Sequence, residues 1–406
     1  MSARPPAESS SSASAVRVSS ECFDPTDARH FNAPVARDAN EPSLQERVIQ
    51  ALRQPEDFPG IDQAVFEGDQ VAIALDPNVP QVDQVLAATL QVLQETSAAE
   101  IEVLVWDEAT PEIMERLREV AGETPLTQHL CDHRETLSYL AADVDAMPIY
   151  LSRVLVDADF VLPLVALRTG VAEDRGDVSG IFPAMADSAT KQRFALAQRS
   201  GASFATDPKS GQTIAEEVPW QLGVQLILAI ESGGDGLAAA AHAGTALQAK
   251  QWISEKGTEV DAAPLVVAIL AGEQHQQTWE NVLRAIEVAA EAGQPEATIV
   301  VWSNLIQPPQ SELAILDDLP FDFLQANSEQ QELVNGLPRW QRFQALAAAL
   351  QPLLRQHRVL LHSGLDRDVV ESIGMGVIES EEELANLCRN FSSCNVLHAA
   401  SSFASS

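Results

Sequence analysis

Several residues in this chain combine a reactive side chain with a position at the end of an aliphatic run. His133 stands beside Arg134 in CDHRETLSYLAADVDAMPIYLSRVLVDAD (131–159), a polar turn just upstream of strand-like segments. An imidazole titrates near neutral pH, so His133 could carry a hydroxyl proton; a histidine in a polar turn can equally be solvated. Asp107 closes EIEVLVWD and is the second acid/base candidate. Asp76 and Asn78 lie in LDPNVPQ (75–81), where an Asx-turn would use the same residues. Arg168 closes DFVLPLVALR, with Arg175 in the loop beyond. A planar guanidinium suits a carboxylate held by two parallel hydrogen bonds, although Glu173, Asp174 and Asp177 could also take these arginines. In HQQTWENVLRA (275–285), Asn281 and Arg284 are three apart and share a helix face. Trp279 adds apolar bulk and an indole donor, and could instead pack under the helix. The chemistry suggested is the binding of a small carboxylate, with a proton carrier close by.

Positioning such residues requires elements that end where they stand. Ser43 and Glu46 read as a capping box before a helix at SLQERVIQALRQ. QVAIALD (70–76) is a buried strand, residues 82–96 a helix and 100–107 a strand. A helix follows over 110–122, with Thr110 at the N-cap, Pro111 at the first helical position and Gly122 past its end. A weaker strand at 126–132 precedes a short strand, a helical turn and a buried strand within 147–167. Alternation at this spacing predicts parallel sheets covered by helices. Residues 168–187 break the rhythm as a long loop at a strand's carboxyl end, where open α/β sheets bind ligands.

A second block repeats the pattern. GVQLILAIES reads as a strand and SGGDG (232–236) as a strand-to-helix turn. AAAHAGTALQAKQWISEKG reads as a helix, followed by strands at 263–272, 297–305 and 358–365 with helices between, and by a last strand at NVLHAAS. The expected organisation is a disordered Ser/Ala/Pro-rich tail at 1–20, one α/β domain over 21–205 and another over 206–406, with a cleft between them. The last elements are candidates to cross back to the first domain.

Net charge is −34, from 59 acidic and 25 basic residues, which excludes a nucleic-acid partner of the usual basic kind and disfavours an anionic membrane. No apolar run is long enough to span a bilayer and no secretory segment stands at the start, so a cytoplasmic protein is expected. Cys22, Cys131, Cys388 and Cys394 lack metal spacing and read as free thiols, with a Cys388–Cys394 disulfide left open. There is no GxGxxG after a strand, no phosphate-binding GxxxxGK[ST], no HExxH and no GxSxG.

Taken together, LDPNVP, AMPIYLSRVLVDAD, LPLVALR, DVSGIFPAMAD, KQRF, HQQTWENVLRA and ATIVVWSNLIQPP resemble the nickel-dependent lactate racemase family across most of residues 65–400. The resemblance implies two α/β domains around a cleft and a nickel-pincer cofactor tethered to a lysine. It also implies hydride transfer at the α-carbon of a hydroxy acid, with histidine bases and basic residues on the carboxylate. At the matched positions this chain has Val79 for the arginine of the first motif, VWDEAT for a histidine-bearing turn, and Arg168 for a metal-ligand histidine. VSGIFPAM lacks the tethering lysine, leaving Lys191 as the nearest; Arg193 or Phe194 falls at a further histidine, and Asn281 and Arg284 replace a glutamine–lysine pair. The expected function is a divergent racemase-like protein, an isomerase if active, acting on or binding a small α-hydroxy acid. Arg168 and Arg284 would hold the carboxylate, and Asp76, Asn78, Asn281 and Trp279 would line the cleft. The alternative is a non-catalytic binding or regulatory member of the fold.

Overall fold

The computed structural model describes residues 16–24, 26–34, 41–168, 177–200, 213–256, 260–318, 333–334, 337–338 and 341–402. Its strands are β1 (Asp27–Phe31), β2 (Gln70–Leu75), β3 (Glu100–Val105), β4 (Leu126–Gln128), β5 (Leu137–Ala142), β6 (Pro148–Ser152), β7 (Phe160–Leu167) and β8 (Ile227–Ser232). They continue with β9 (Ala238–Gly244), β10 (Ala263–Ile269), β11 (Gly293–Trp302), β12 (Leu333–Val334), β13 (Leu337–Pro338), β14 (Arg358–His362), β15 (Gly376–Val377) and β16 (Ser393–His398).

Two six-stranded sheets organise the chain. The first runs β4-β3-β2-β7-β8-β9 and is parallel except for β9; the second runs β1-β16-β10-β11-β14-β15 and is parallel throughout. Helices cover both, so the central strands carry buried aliphatic runs, as in Val71–Leu75 and Leu265–Ile269. The helix Leu44–Arg53 begins with the expected Ser43–Glu46 capping box, and Pro111–Ala121 begins at Thr110 and ends at Gly122 with φ of 60°. β5 and β6 form a separate antiparallel ribbon.

Sheet membership differs from the expected division in two places. β8 and β9 continue the first sheet beyond β7, so that sheet extends past the break expected at 205/206. The segment that crosses is N-terminal: β1 pairs with β16, and the last strand lies between β1 and β10 in the second sheet. Periodicity identifies strands but not their partners, which sit hundreds of residues away. Residues 1–15 of the expected disordered tail lie outside the described residues, whereas Val16 is buried against the second sheet.

One element was misassigned from composition. Ala238–Gly244 is a strand, and the helix begins only at Ala246. SGGDG is the reason: Gly233 and Gly236 close a hairpin turn, with Gly233 N–H donating to Leu237 O at 2.8 Å and Gly236 N–H to Gly233 O at 2.8 Å. The alanines then pair antiparallel to β8, and their small side chains admit the helix Leu44–Arg53, whose Arg47 donates to the carbonyls of Ala238 and Ala239. Helix propensity of alanine, worth under about 1 kcal/mol per residue, is outweighed by this pairing.

Candidate functional site

Chain order reverses beside β2: β3 and β4 extend to one side, and β7 and β8 to the other. A parallel sheet opens a crevice at the carboxyl end of such a switch point. The second sheet has its own reversal beside β10, with β11 and β14 on one side and β16 on the other. The loops leaving β2 and β10 meet. Gln276 Nε2 donates to Asn78 O at 2.8 Å, His275 Nε2 lies 3.2 Å from Pro77 O, and Asn281 Nδ2 donates to Asn78 Oδ1 at 2.8 Å. The region joining the sheets is therefore built from both switch points.

Among the described residues, four cations and four carboxylates gather here. Asp76 is fully buried; one oxygen accepts Asn78 N–H at 2.9 Å and Asn78 Nδ2 at 3.1 Å, the other Ala166 N–H at 3.3 Å and Arg168 at 2.7 Å. Arg284 donates through Nη1 to Asn281 Oδ1 at 2.8 Å and through Nη2 to both Glu108 oxygens at 2.8 and 2.9 Å. Arg342 pairs with Glu280 and donates to Asp107 O at 3.1 Å. Lys191 Nζ meets Asp107 Oδ2 at 2.5 Å. Burial alone would raise the Glu108 carboxyl, but Arg284, Arg342 and Arg168 together outweigh it and hold the group at about 2.

The loop Trp106–Ala109 that carries Asp107 and Glu108 is fixed from β4. Gln128 Nε2 donates to the carbonyls of Trp106, Asp107 and Ala109 at 3.4, 3.2 and 2.9 Å. His129 follows directly and is buried, with Nε2 2.8 Å from Ala186 O. Burial, with Lys191 adding to it, lowers the imidazole to about 4, so it is neutral near pH 7. A neutral ring whose Nε2–H donates to a carbonyl keeps its lone pair on Nδ1, the form a general base requires.

The structure brings Asp76, Asn78, Asp107, Arg168, Asn281 and Arg284 together. Among the described residues Arg168 pairs with Asp76 and Arg284 with Glu108; Glu173, Asp174 and Arg175 lie outside the described residues. His133 is not part of the cluster; its side chain is 47% exposed, 3.5 Å from Glu135. Polarity and sequence position favoured His133, but the turn after β4 faces solvent by the time it reaches that residue. Trp279 also lies elsewhere, fully buried in the second sheet's aliphatic core with Nε1 donating to Gln307 O at 3.0 Å. Sequence reasoning missed Glu108, His129, Glu280 and Arg342. For Glu108 and His129 a signal existed, since each sits within three residues of a strand end; Arg342 and Glu280 carried none.

The residues present do not fit a tethered nickel-pincer group. A guanidinium has no lone pair for a metal, and Arg168, at the matched ligand position, is committed to Asp76. The Lys191 amine is buried against Asp107, and Arg193 donates to Asp143 and to Pro148 O. No group of three or more His, Cys, Asp or Glu side chains is placed for a metal among the described residues. The four cysteines are free and buried. No helix among the described residues is long and apolar enough to cross a membrane.

The fold is similar to that of the lactate racemase apoprotein from Thermoanaerobacterium thermosaccharolyticum, with a TM-score of 0.69 and 14% identity over 96% of each chain. It is also similar to a crystal structure of a protein from Thermotoga maritima, with a TM-score of 0.57 and 12% identity, covering 83% of this chain and 92% of that one. No family model matches the sequence, and no curated protein matches it. The fold is lactate-racemase-like.

Proposed function

We propose that this chain binds a small carboxylate, an α-hydroxy acid or a close relative, where the carboxyl edges of its two sheets meet. The observation that carries this reading is the gathering of Arg168, Arg284 and Arg342 where the two sheets meet, with Arg284 Nη2 on both oxygens of Glu108 as it would be on a ligand carboxylate. In a chain of net charge −34 such a concentration of arginine needs a reason, and recognition of a planar carboxylate supplies one. The likeness in fold to a lactate racemase apoprotein makes a hydroxy acid the first ligand to try. If the ligand turns over, neutral His129 is the candidate base, with the Lys191–Asp107 pair beside it; an isomer would form only if a proton left the α-carbon and returned to its other face. A protein that binds without turnover is the second reading. It is favoured because each cation of the cluster already holds an internal carboxylate.

Titration calorimetry with glycolate, D-lactate and L-lactate, against the uncharged glycolamide, tests the proposal. Saturable heat with the acids and none with the amide is expected. No binding by any acid at millimolar concentration removes the reading. Chiral-phase chromatography of each lactate enantiomer after incubation then separates an enzyme, which converts one enantiomer to the other, from a binding protein, which does not.

A further inference from the structure

We infer that Glu108 is a built-in competitor of the ligand, occupying the carboxylate position on Arg284 until the ligand's own carboxylate displaces it. The inference rests on the proposed function and adds to it how the site is regulated and the charge its ligand carries.

Arg284 Nη2 contacts both Glu108 oxygens, at 2.8 and 2.9 Å, as it would contact a bound carboxylate. Glu108 differs from the neighbouring Asp76 in what holds it. Asp76 is fully buried and accepts two backbone N–H groups besides Arg168, so it is part of the scaffold. Among the described residues the bonds to Glu108 come from side chains, Arg284 and, at 3.5 Å, Asn78. Its side chain is 23% exposed, which leaves a direction in which it can rotate. Its backbone need not follow, because Gln128 anchors the loop on either side through the carbonyls of Trp106, Asp107 and Ala109.

Charge sets the stoichiometry. Among the described residues of the cluster, Asp76, Asp107, Glu108 and Glu280 pair with Arg168, Lys191, Arg284 and Arg342. A ligand anion added without exchange would leave an excess negative charge among partly desolvated groups, which is costly. Exchange for Glu108 keeps the cluster neutral, provided the ligand brings one carboxylate and no second charge. The ligand class is a monocarboxylate whose remaining groups are uncharged; a dicarboxylate would again overload the cluster.

The experiment is titration of full-length wild type and Glu108→Gln with glycolate and with malonate. Glu108→Gln is expected to bind glycolate at least tenfold more tightly than wild type, and wild type is expected to prefer glycolate to malonate. If wild type binds glycolate and folded Glu108→Gln binds it no more tightly, the competitor role is overturned while the proposed function stands. If neither protein binds glycolate, both fall. A second measurement needs no variant: the carbon-13 carboxyl titration of Glu108 in wild type, with and without saturating glycolate. Displacement moves its midpoint up from about 2 towards the ordinary carboxylate value of 4.5. An unmoved midpoint at saturation overturns the inference.

Discussion

Replacing Arg284 by methionine removes the guanidinium and keeps an unbranched apolar stem. Glu108 then loses its contacts at 2.8 and 2.9 Å, and Asn281 Oδ1 loses its donor. The gross Coulomb attraction of such a pair is about 6 kcal/mol at an effective dielectric constant of about 20. The cost of bringing both charges out of water offsets much of that in the intact pair. Removing one partner leaves that cost in place for the other, which takes about 3–5 kcal/mol from a buried pair. Arg342 and Arg168 still act on Glu108, and both partners are 23% exposed, so the lower end applies: Arg284→Met should lose about 3 kcal/mol. Glu108→Met/Arg284→Met removes both charges and should lie within about 1 kcal/mol of wild type. Urea denaturation followed by tryptophan fluorescence and circular dichroism reads both differences. A loss below about 1 kcal/mol in the single variant, or a double variant as unstable as the single, would refute the account of the cluster.

Other predictions follow from the same geometry. Glu108 and Glu273 are each held at about 2, Glu108 by its arginines against burial and Glu273 by His275 and Arg116. Both folded values lie below the ordinary 4.5, so their contribution is complete above pH 4.5, where unfolded carboxylates are also ionised, and is lost as pH falls towards 2; it amounts to about 3 kcal/mol each at most. The melting temperature should therefore fall steeply below pH 4.5, and a flat profile down to pH 3 contradicts this. Gly234→Ala would bring a Cβ to 1.9 Å from Asn32 O and should destabilise by more than about 2 kcal/mol. Gly223→Ala has a φ of 72° and open space, and should cost about 1 kcal/mol; equal melting shifts in the two variants would count against the close approach at Gly234. Trp279→Phe should lower stability by about 2 kcal/mol through lost packing and the lost bond to Gln307 while leaving the glycolate dissociation constant unchanged. His133→Ala should alter neither stability nor binding, and a tenfold effect on glycolate affinity would return that histidine to the site.

Much of the fold was legible because burial writes itself into sequence. QVAIAL and APLVVAI are aliphatic runs with polar stops, and Ser43, Thr110 and Gly122 cap their helices as their chemistry requires. Pairing was not legible. Nothing within Asp27–Phe31 specifies a partner at Ser393–Leu397, and the alanine run after SGGDG carried a helix preference that sheet pairing overrode. At the site, residues that end strands were found because a strand's carboxyl end is a fixed place in this architecture, hence Asp76, Asp107 and Arg168. Their partners were not found. Among the described residues Arg168 pairs with Asp76, which follows a strand that is its neighbour in the sheet and lies far away in sequence. The polar turn that draws attention to His133 faces solvent; the buried His129, four residues earlier, is the histidine the fold brings to Lys191 and Asp107.

The central claim is that a ligand carboxylate binds Arg284 between the two sheets, and a crystal structure grown with saturating glycolate tests it most directly. The account predicts density for glycolate with its carboxylate on Arg284 and the Glu108 side chain turned away. Glycolate bound elsewhere, with Glu108 still on Arg284, would contradict it.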